Sequence, residues 1–170
     1  ADECMSRYDD IAIVYEGRAR ESVRLRQDAF IARMEAMGRE VQRLIRSEEA
    51  GDFNSFLSST LATREGDIEC LVALDTVTLE ATMDALPAAM VDVSLCGIGA
   101  GNRVVNGLDV GTIDMLIFPN EYAMGYLGMY ELARQMGILE EAPMPDVEYR
   151  MVTRDNMYLP EVERLLFPIN

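Results

Sequence analysis

Histidine is absent from this 170-residue chain, and lysine is absent too, so all fifteen bases are arginine. Without imidazole, the commonest general base and the commonest metal ligand are both missing. No metal site, cofactor or catalytic residue is expected. Cysteine is scarce: Cys4, Cys70 and Cys96. Their spacing fits no zinc motif, and an odd number argues against a full disulfide framework. Cys70 and Cys96 sit in apolar runs and read as inert core thiols, free cysteine being a small hydrophobe. No apolar run reaches the roughly 18 residues of a membrane span, and no signal peptide is legible. A start at Ala1 is the expectation for a processed or excised chain. Positive charge is also short. Thirty acids against fifteen bases give a formal net charge of -15, a field that repels phosphate backbones and anionic membrane surfaces. Neither direct nucleic-acid contact nor membrane insertion is expected.

Hydrophobic residues make up 49% of the chain, too many for disorder. The length suits one domain with a sizeable core. Residues 1–9 are polar and read as a loose lead-in. Ile11 to Tyr15 (IAIVY) reads as a buried parallel strand. A helix is predicted from about Ser22 to Met37, with an inner stripe of Val23, Phe30, Met34 and Met37. Arg26 falls on that stripe, where an arginine is paired, snorkelling or functional. Val41–Ile45 reads as an edge strand, then Phe53–Arg64 as a helix with Phe53, Phe56, Leu57 and Leu61 inward. Cys70–Leu74 is a third strand, Val77–Leu86 a helix stopped at Pro87, and Val91–Cys96 a fourth strand. A short helix is predicted near Val104, and Met115–Phe118 is a fifth strand. A linker rich in proline and glutamate spans 138–146. Val147–Val152 is a sixth strand and Pro160–Leu166 a last short helix.

Strands alternating with helices imply right-handed βαβ crossovers and a parallel sheet. The fold class is therefore α/β: a three-layer, Rossmann-like sheet of five to six strands with helices on both faces. Ligands of such sheets bind at the carboxyl ends of the strands, near a topological switch point. Here those ends are Glu16–Gly17, Asp75–Thr76, Gly97–Gly101 and Pro119–Asn120.

The segment after Pro119 stands apart. Asn120 reads as an N-cap, and a helix should run to about Met136, ended by Gly137. Tyr122, Met124, Tyr126, Leu127, Met129, Tyr130, Leu132 and Met136 cover most of its circumference. A helix apolar nearly all round calls for burial on several sides. Its surplus apolar surface predicts a homodimer or a swapped assembly.

Two chemistries are weighed and set aside. The loop Gly97–Ile98–Gly99–Ala100–Gly101 has Asn102 where a dinucleotide fingerprint needs its third glycine, and no acid follows at about 20 residues. A tight strand-to-helix turn is the better reading. For covalent catalysis, Ser94 or Cys96 would need a base, and the usual acid–base pieces are not assembled. Asp75 and Glu121 read as acids in a helix's first turn, favoured by its dipole.

The order of the pieces nevertheless resembles a family. IAIVYEG then RQDAF, LVALDTVTLEA, LCGIGAG and GTIDMLIFPNEYAMGYLGM look like successive motifs from the C-terminal half of type I periplasmic-binding-protein-like domains. These domains are the sugar-binding proteins of transporters and the effector domains of lac-repressor-type regulators. The resemblance covers roughly Asp10 to Thr153.

It implies one lobe of a two-lobe clamp, with 10–119 as the C-terminal-lobe domain. Residues 120–153 would form a helix and strand returning to a missing N-terminal lobe, and 154–170 a tail. Arg26 matches the arginine that commonly holds a pair of sugar hydroxyls. Glu16 opens the cleft loop, and Asp75 matches a structural acid. Leu74 stands where the family has a ligand asparagine. Gly99 stands for its ligand aspartate, beside Ile98 where an aromatic is common, and Pro119 for its crossover glutamine. A buried hydroxyl left unmet costs about 1–3 kcal/mol, so these exchanges imply an altered solute or an altered role. The function implied is binding of a small, polar, carbohydrate-like solute in transport or sensing. The alternative is a ligand-responsive regulatory or dimerisation domain of a lac-repressor-type regulator. The segment from Asp155–Asn156–Met157 to Ile169 looks like surface solute receptors and implies an extracytoplasmic location; the alternative role would be cytoplasmic.

Overall fold

A computed structural model describes residues 1–16, 20–46, 51–64, 66–139, 147 and 149–167, apart from the side chain of Glu16. The elements in chain order are α1 (Asp2–Arg7), β1 (Ile11–Glu16), α2 (Glu21–Ala36), β2 (Gln42–Arg46), α3 (Phe53–Thr63), β3 (Cys70–Ala73) and α4 (Thr76–Ala89). They continue with β4 (Ser94–Ile98), α5 (Asn102–Asp109), β5 (Met115–Pro119), α6 (Glu121–Gln135), β6 (Tyr149–Val152) and α7 (Pro160–Leu166). The expected cleft loop beyond Glu16, most of the 138–146 linker and the last residues of the tail lie outside the described residues.

The strands form one sheet of order β2-β1-β3-β4-β5-β6. The first five pair in parallel, with Val14 opposite Leu44, Ile13 opposite Val72, Val72 opposite Cys96 and Ile98 opposite Ile117. Each inner strand divides its side chains between two faces, as a period of two requires. Ala12, Val14, Leu71, Ala73, Leu95, Leu116 and Phe118 join α3, α4, α5 and α7 in the larger core. Ile11, Ile13, Cys70, Val72, Cys96 and Met115 meet α1 and α2 in the smaller one. The sheet is thus the middle of three layers, and both of its faces are apolar because both are covered.

Several expectations are corrected. The lead-in is a helix, and Cys4 on α1 is buried against the sheet. Polar residues outnumber apolar ones there, but Cys4, with Met5 partly buried beside it and Ala1 and Tyr8 at the flanks, docks the helix. On α2, Met37 is 52% exposed, and Gln27 and Ile31 complete the buried stripe. Arg26 is a half-buried flank of that stripe. On α3, Phe53, Leu57 and Leu61 point inward as expected, with Phe56 packed only partly. Pro87 does not stop α4, which runs to Ala89 and ends on Met90 in the left-handed region at φ 52°. A proline forfeits one helical hydrogen bond, and burial of Ala85 and Ala89 holds the last turn in place. β4 starts at Ser94, where its amide donates to the Glu69 carbonyl and enters register with Cys70.

The sixth strand is antiparallel and pairs with β5, from Leu116 opposite Val152 to Pro119 opposite Tyr149. It therefore closes the edge of this same sheet instead of leaving with the helix. The tail is likewise part of the core, through Met157, Val162 and Leu166.

The largest departure is α6. Asn120 caps it as expected, its side-chain oxygen accepting from the Ala123 amide at 2.9 Å. Yet Leu127 is its one buried residue. Tyr122 is 78% exposed, Tyr126 62% and Met129 68%, with Met124, Leu132 and Met136 exposed as well. Its polar side is stiffened by Glu131, whose carboxyl the Arg134 guanidinium and then the Gln135 amide pull down to about 2. No helix among the described residues is long and apolar enough to cross a membrane.

Candidate functional site

The chain leaves β1 outward to β2, then returns past β1 to β3 and continues the other way. The carboxyl ends of β1 and β3 therefore flank the point where the winding reverses, and a crevice opens there by geometry. α2 begins at that end because it follows β1, so its first two turns overlook the crevice. Arg26, on the second turn, donates from Nη1 to the Leu74 carbonyl at 3.2 Å. The guanidinium is thus held at the carboxyl end of β3 and not at the opposite end of the sheet. A guanidinium has five N–H donors in a planar fork, and the Leu74 carbonyl engages one of the two Nη groups. The rest of such a fork suits a pair of vicinal hydroxyls or a carboxylate.

The other residues named from the sequence divide by what their side chains do. Leu74 is 5% exposed, with its side chain in the smaller core; at this site it offers only its carbonyl. Asp75 caps α4, its carboxylate accepting from the Thr78 amide at 2.9 Å and the Thr78 hydroxyl at 2.7 Å. Replacing Asp75 by alanine is expected to lower stability by about 1 kcal/mol, the usual worth of an N-cap, as read by urea denaturation.

Gly99 faces packing. A Cβ there would lie 3.1 Å from Leu79 Cδ2 and 3.3 Å from Thr76 Oγ1, so it does not stand in for a ligand-facing aspartate. The Thr76 hydroxyl also accepts from the Ala100 amide at 3.3 Å, which ties the glycine turn to the start of α4. Gly101 takes φ 102° at the N-cap of α5, the conformation that the strand-to-helix turn needs. Ile98 is half-buried against the smaller core, and Pro119 is half-buried at the end of β5. Glu16 ends β1.

Two features escaped the sequence reading. Gln27 is 4% exposed on the stripe of α2, and its amide nitrogen finds no partner among the described residues. An amide in the centre of an apolar stripe was the available signal. A cavity of about 560 Å³ also lies beside the carboxyl end of β5, lined by Asn102, Phe118, Asn120, Tyr122, Arg150 and Arg164 among others. That volume falls in the range of small-molecule sites. Because β6 and α7 supply five of the eleven lining residues, spacing along the sequence could not reveal it. Among the described residues, no group of three or more cysteines and acids is arranged to hold a metal ion.

Neither a protein-family model nor a curated protein sequence matches the chain. Solved structures do match it by fold. A carbohydrate transporter solute-binding protein from Agrobacterium radiobacter, in complex with D-arabinose, superimposes with a TM-score of 0.75 at 22% identity, over 93% of this chain and 55% of that one. An ABC transporter solute-binding protein from Agrobacterium vitis, bound with α-D-tagatopyranose, gives 0.73 at 17% identity, over 93% and 54%. A LacI transcriptional regulator from Bacteroides fragilis gives 0.74 at 16% identity, over 89% and 55%. The fold is that of one lobe of a type I periplasmic-binding-protein-like domain, and the chain spans about half the length of the structures it matches. These neighbours are solute-binding and regulatory proteins.

Proposed function

We propose that this chain is one lobe of a two-lobe clamp for a small, polar, carbohydrate-like solute, serving uptake or sensing. The observation that carries the reading is Arg26, fixed by the Leu74 carbonyl at the switch point between β1 and β3. Glu16, Asp75, Ile98 and Pro119 border the same end of the sheet and are the proposed rim of the solute site. Two of the fold neighbours carry sugars, which supports the solute class. The clamp would work outside the cytoplasm. The second reading is a regulatory or dimerisation domain in a cytoplasmic regulator. It is favoured by the exposed apolar face of α6 together with the LacI neighbour.

The test is a calorimetric titration with D-arabinose and D-tagatose. A single lobe encloses only half a ligand, whereas working pockets bury most of its surface. Affinity no tighter than millimolar is expected for this lobe alone, and micromolar affinity for the lobe alone would overturn the half-site reading. In the two-lobe protein, Arg26→Ala removes a charged hydrogen-bond partner worth about 1.5–3 kcal/mol. Affinity should fall roughly 10- to 100-fold, and an unchanged affinity would remove Arg26 from the site.

A further inference from the structure

Cys4, Cys70 and Cys96 lie far apart in the sequence, yet all three are buried, unbridged and members of the smaller core. Cys4 hangs from α1 over the sheet, Cys70 opens β3, and Cys96 is on β4. The three side chains share one apolar cluster, close enough that the Cys70 and then the Cys96 thiol dominate the surroundings of the Cys4 thiol. The three are not arranged to hold a metal ion.

We propose that these cysteines are a disulfide-forming site, in which Cys4 bonds to Cys70 or Cys96, fastens α1 to the sheet and leaves the third as a thiol. Strand register dictates the choice of partner. Cys70 pairs with Ser94, and Cys96 pairs with Val72, so the two strand cysteines are diagonal neighbours two residues out of step. With strands about 4.8 Å apart and a rise of about 3.3 Å per residue, their Cα atoms are separated by about 8 Å. Beyond about 7 Å a disulfide cannot close without backbone movement. Central strands held on both sides do not move in that way. Cys4 is under no such constraint, since it sits on a six-residue helix and is that helix's one buried residue. The helix is further tied down by the exposed Asp2–Arg33 ion pair. A six-residue helix docked by few buried side chains opens locally at low cost, and opening α1 admits a small-molecule disulfide.

The exchange balances. The Cys4 thiolate attacks the small disulfide, forming a mixed disulfide and expelling one thiolate, which takes up a proton. A strand cysteine, losing its own proton to solvent, then attacks the Cys4 sulfur and expels the second thiol. Two protein thiols and one disulfide become one protein disulfide and two small thiols. Hydrogen bonds from the Cys70 and then the Cys96 thiol depress the Cys4 thiol, while contact with Cys4 raises both others. Cys4 rides on the helix that opens, so it is the sulfur that a small disulfide reaches first.

The chain is incubated in reduced or oxidised glutathione buffer, denatured, alkylated and weighed, then digested without reduction. In the oxidised buffer two of the three thiols should resist alkylation, and the cross-linked peptides should join residue 4 to 70 or 96. Cys70→Ser and Cys96→Ser should each retain a bridge, and Cys4→Ser should form none. Because the bridge closes a long loop in the unfolded chain, the oxidised form should melt about 10 °C above the reduced one. Three alkylatable thiols, a Cys70–Cys96 bridge, a bridge between two copies, or a cross-linked chain that melts no higher than the reduced one would each overturn the proposal.

Discussion

At micromolar concentration this chain is expected to sediment at twice the 19.0 kDa of a single copy, and glutamate placed on α6 should return it to the monomer. The physical argument is the apolar face itself. Tyr122, Tyr126 and Tyr130 recur at every fourth residue and form one stripe, with Met129 and Leu132 beside it. Tyr126 is 62% exposed and Met129 68%. Fully burying a large apolar side chain contributes about 1.5–3 kcal/mol relative to exposure, and four or five such residues compete well with the substantial cost of association. Pro119 and Asn120, at the exit from β5, offer a hinge for exchanging the helix between two copies.

The pair Tyr126→Glu and Met129→Glu places two charges in the middle of that face. Dimer affinity should fall by at least 100-fold in sedimentation equilibrium, while the melting temperature of the isolated lobe stays within a few degrees. The second result follows from neither residue being buried in its own chain. A wild-type chain that sediments as a monomer would defeat the self-association claim. The face would then be reserved for the complementary lobe.

The second large effect is expected in the core. Gly97→Val should destabilise the chain by about 3 kcal/mol or more, at the upper end of overpacking. In a domain of this size that corresponds to a melting temperature lowered by roughly 6–12 °C. Already a Cβ at Gly97 would stand 2.6 Å from the Ala73 carbonyl oxygen and 2.8 Å from Leu79 Cδ1. A side chain such as Leu79 can give way, but the Ala73 carbonyl belongs to a central strand and cannot. Thermal unfolding followed by far-ultraviolet circular dichroism measures the change, and a shift under 2 °C would show that β3 and α4 are not packed as described. Valine at Gly125 is the control, because nothing lies within 4 Å of a Cβ there.

Local sequence was enough for what depends on neighbours along the chain. The runs IAIVY and CLVAL are apolar on both alternations, and only a strand covered on both faces uses such a run. Asn120 announced its helix start because an N-cap is a contact across three residues; Asp75, read as a first-turn acid, caps its helix in the same way. The order of strands and helices then determined a parallel sheet and the end at which a site would lie. It also brought Arg26 forward.

Tertiary structure decided the rest, for reasons of distance and solvent. The antiparallel return of β6 to β5 is a long-range pairing that no periodicity records. The meeting of Cys4 with Cys70 and Cys96 depends on where α1 lands. That Leu74 and Gly99 serve packing while Arg26 reaches the strand end follows from which face each backbone position presents. For α6 the sequence determined how much apolar surface there is. Whether its own chain could cover that surface depended on where the helix lands, and of its residues Leu127 alone is buried, while Tyr149 and Met151 on β6 stay exposed too.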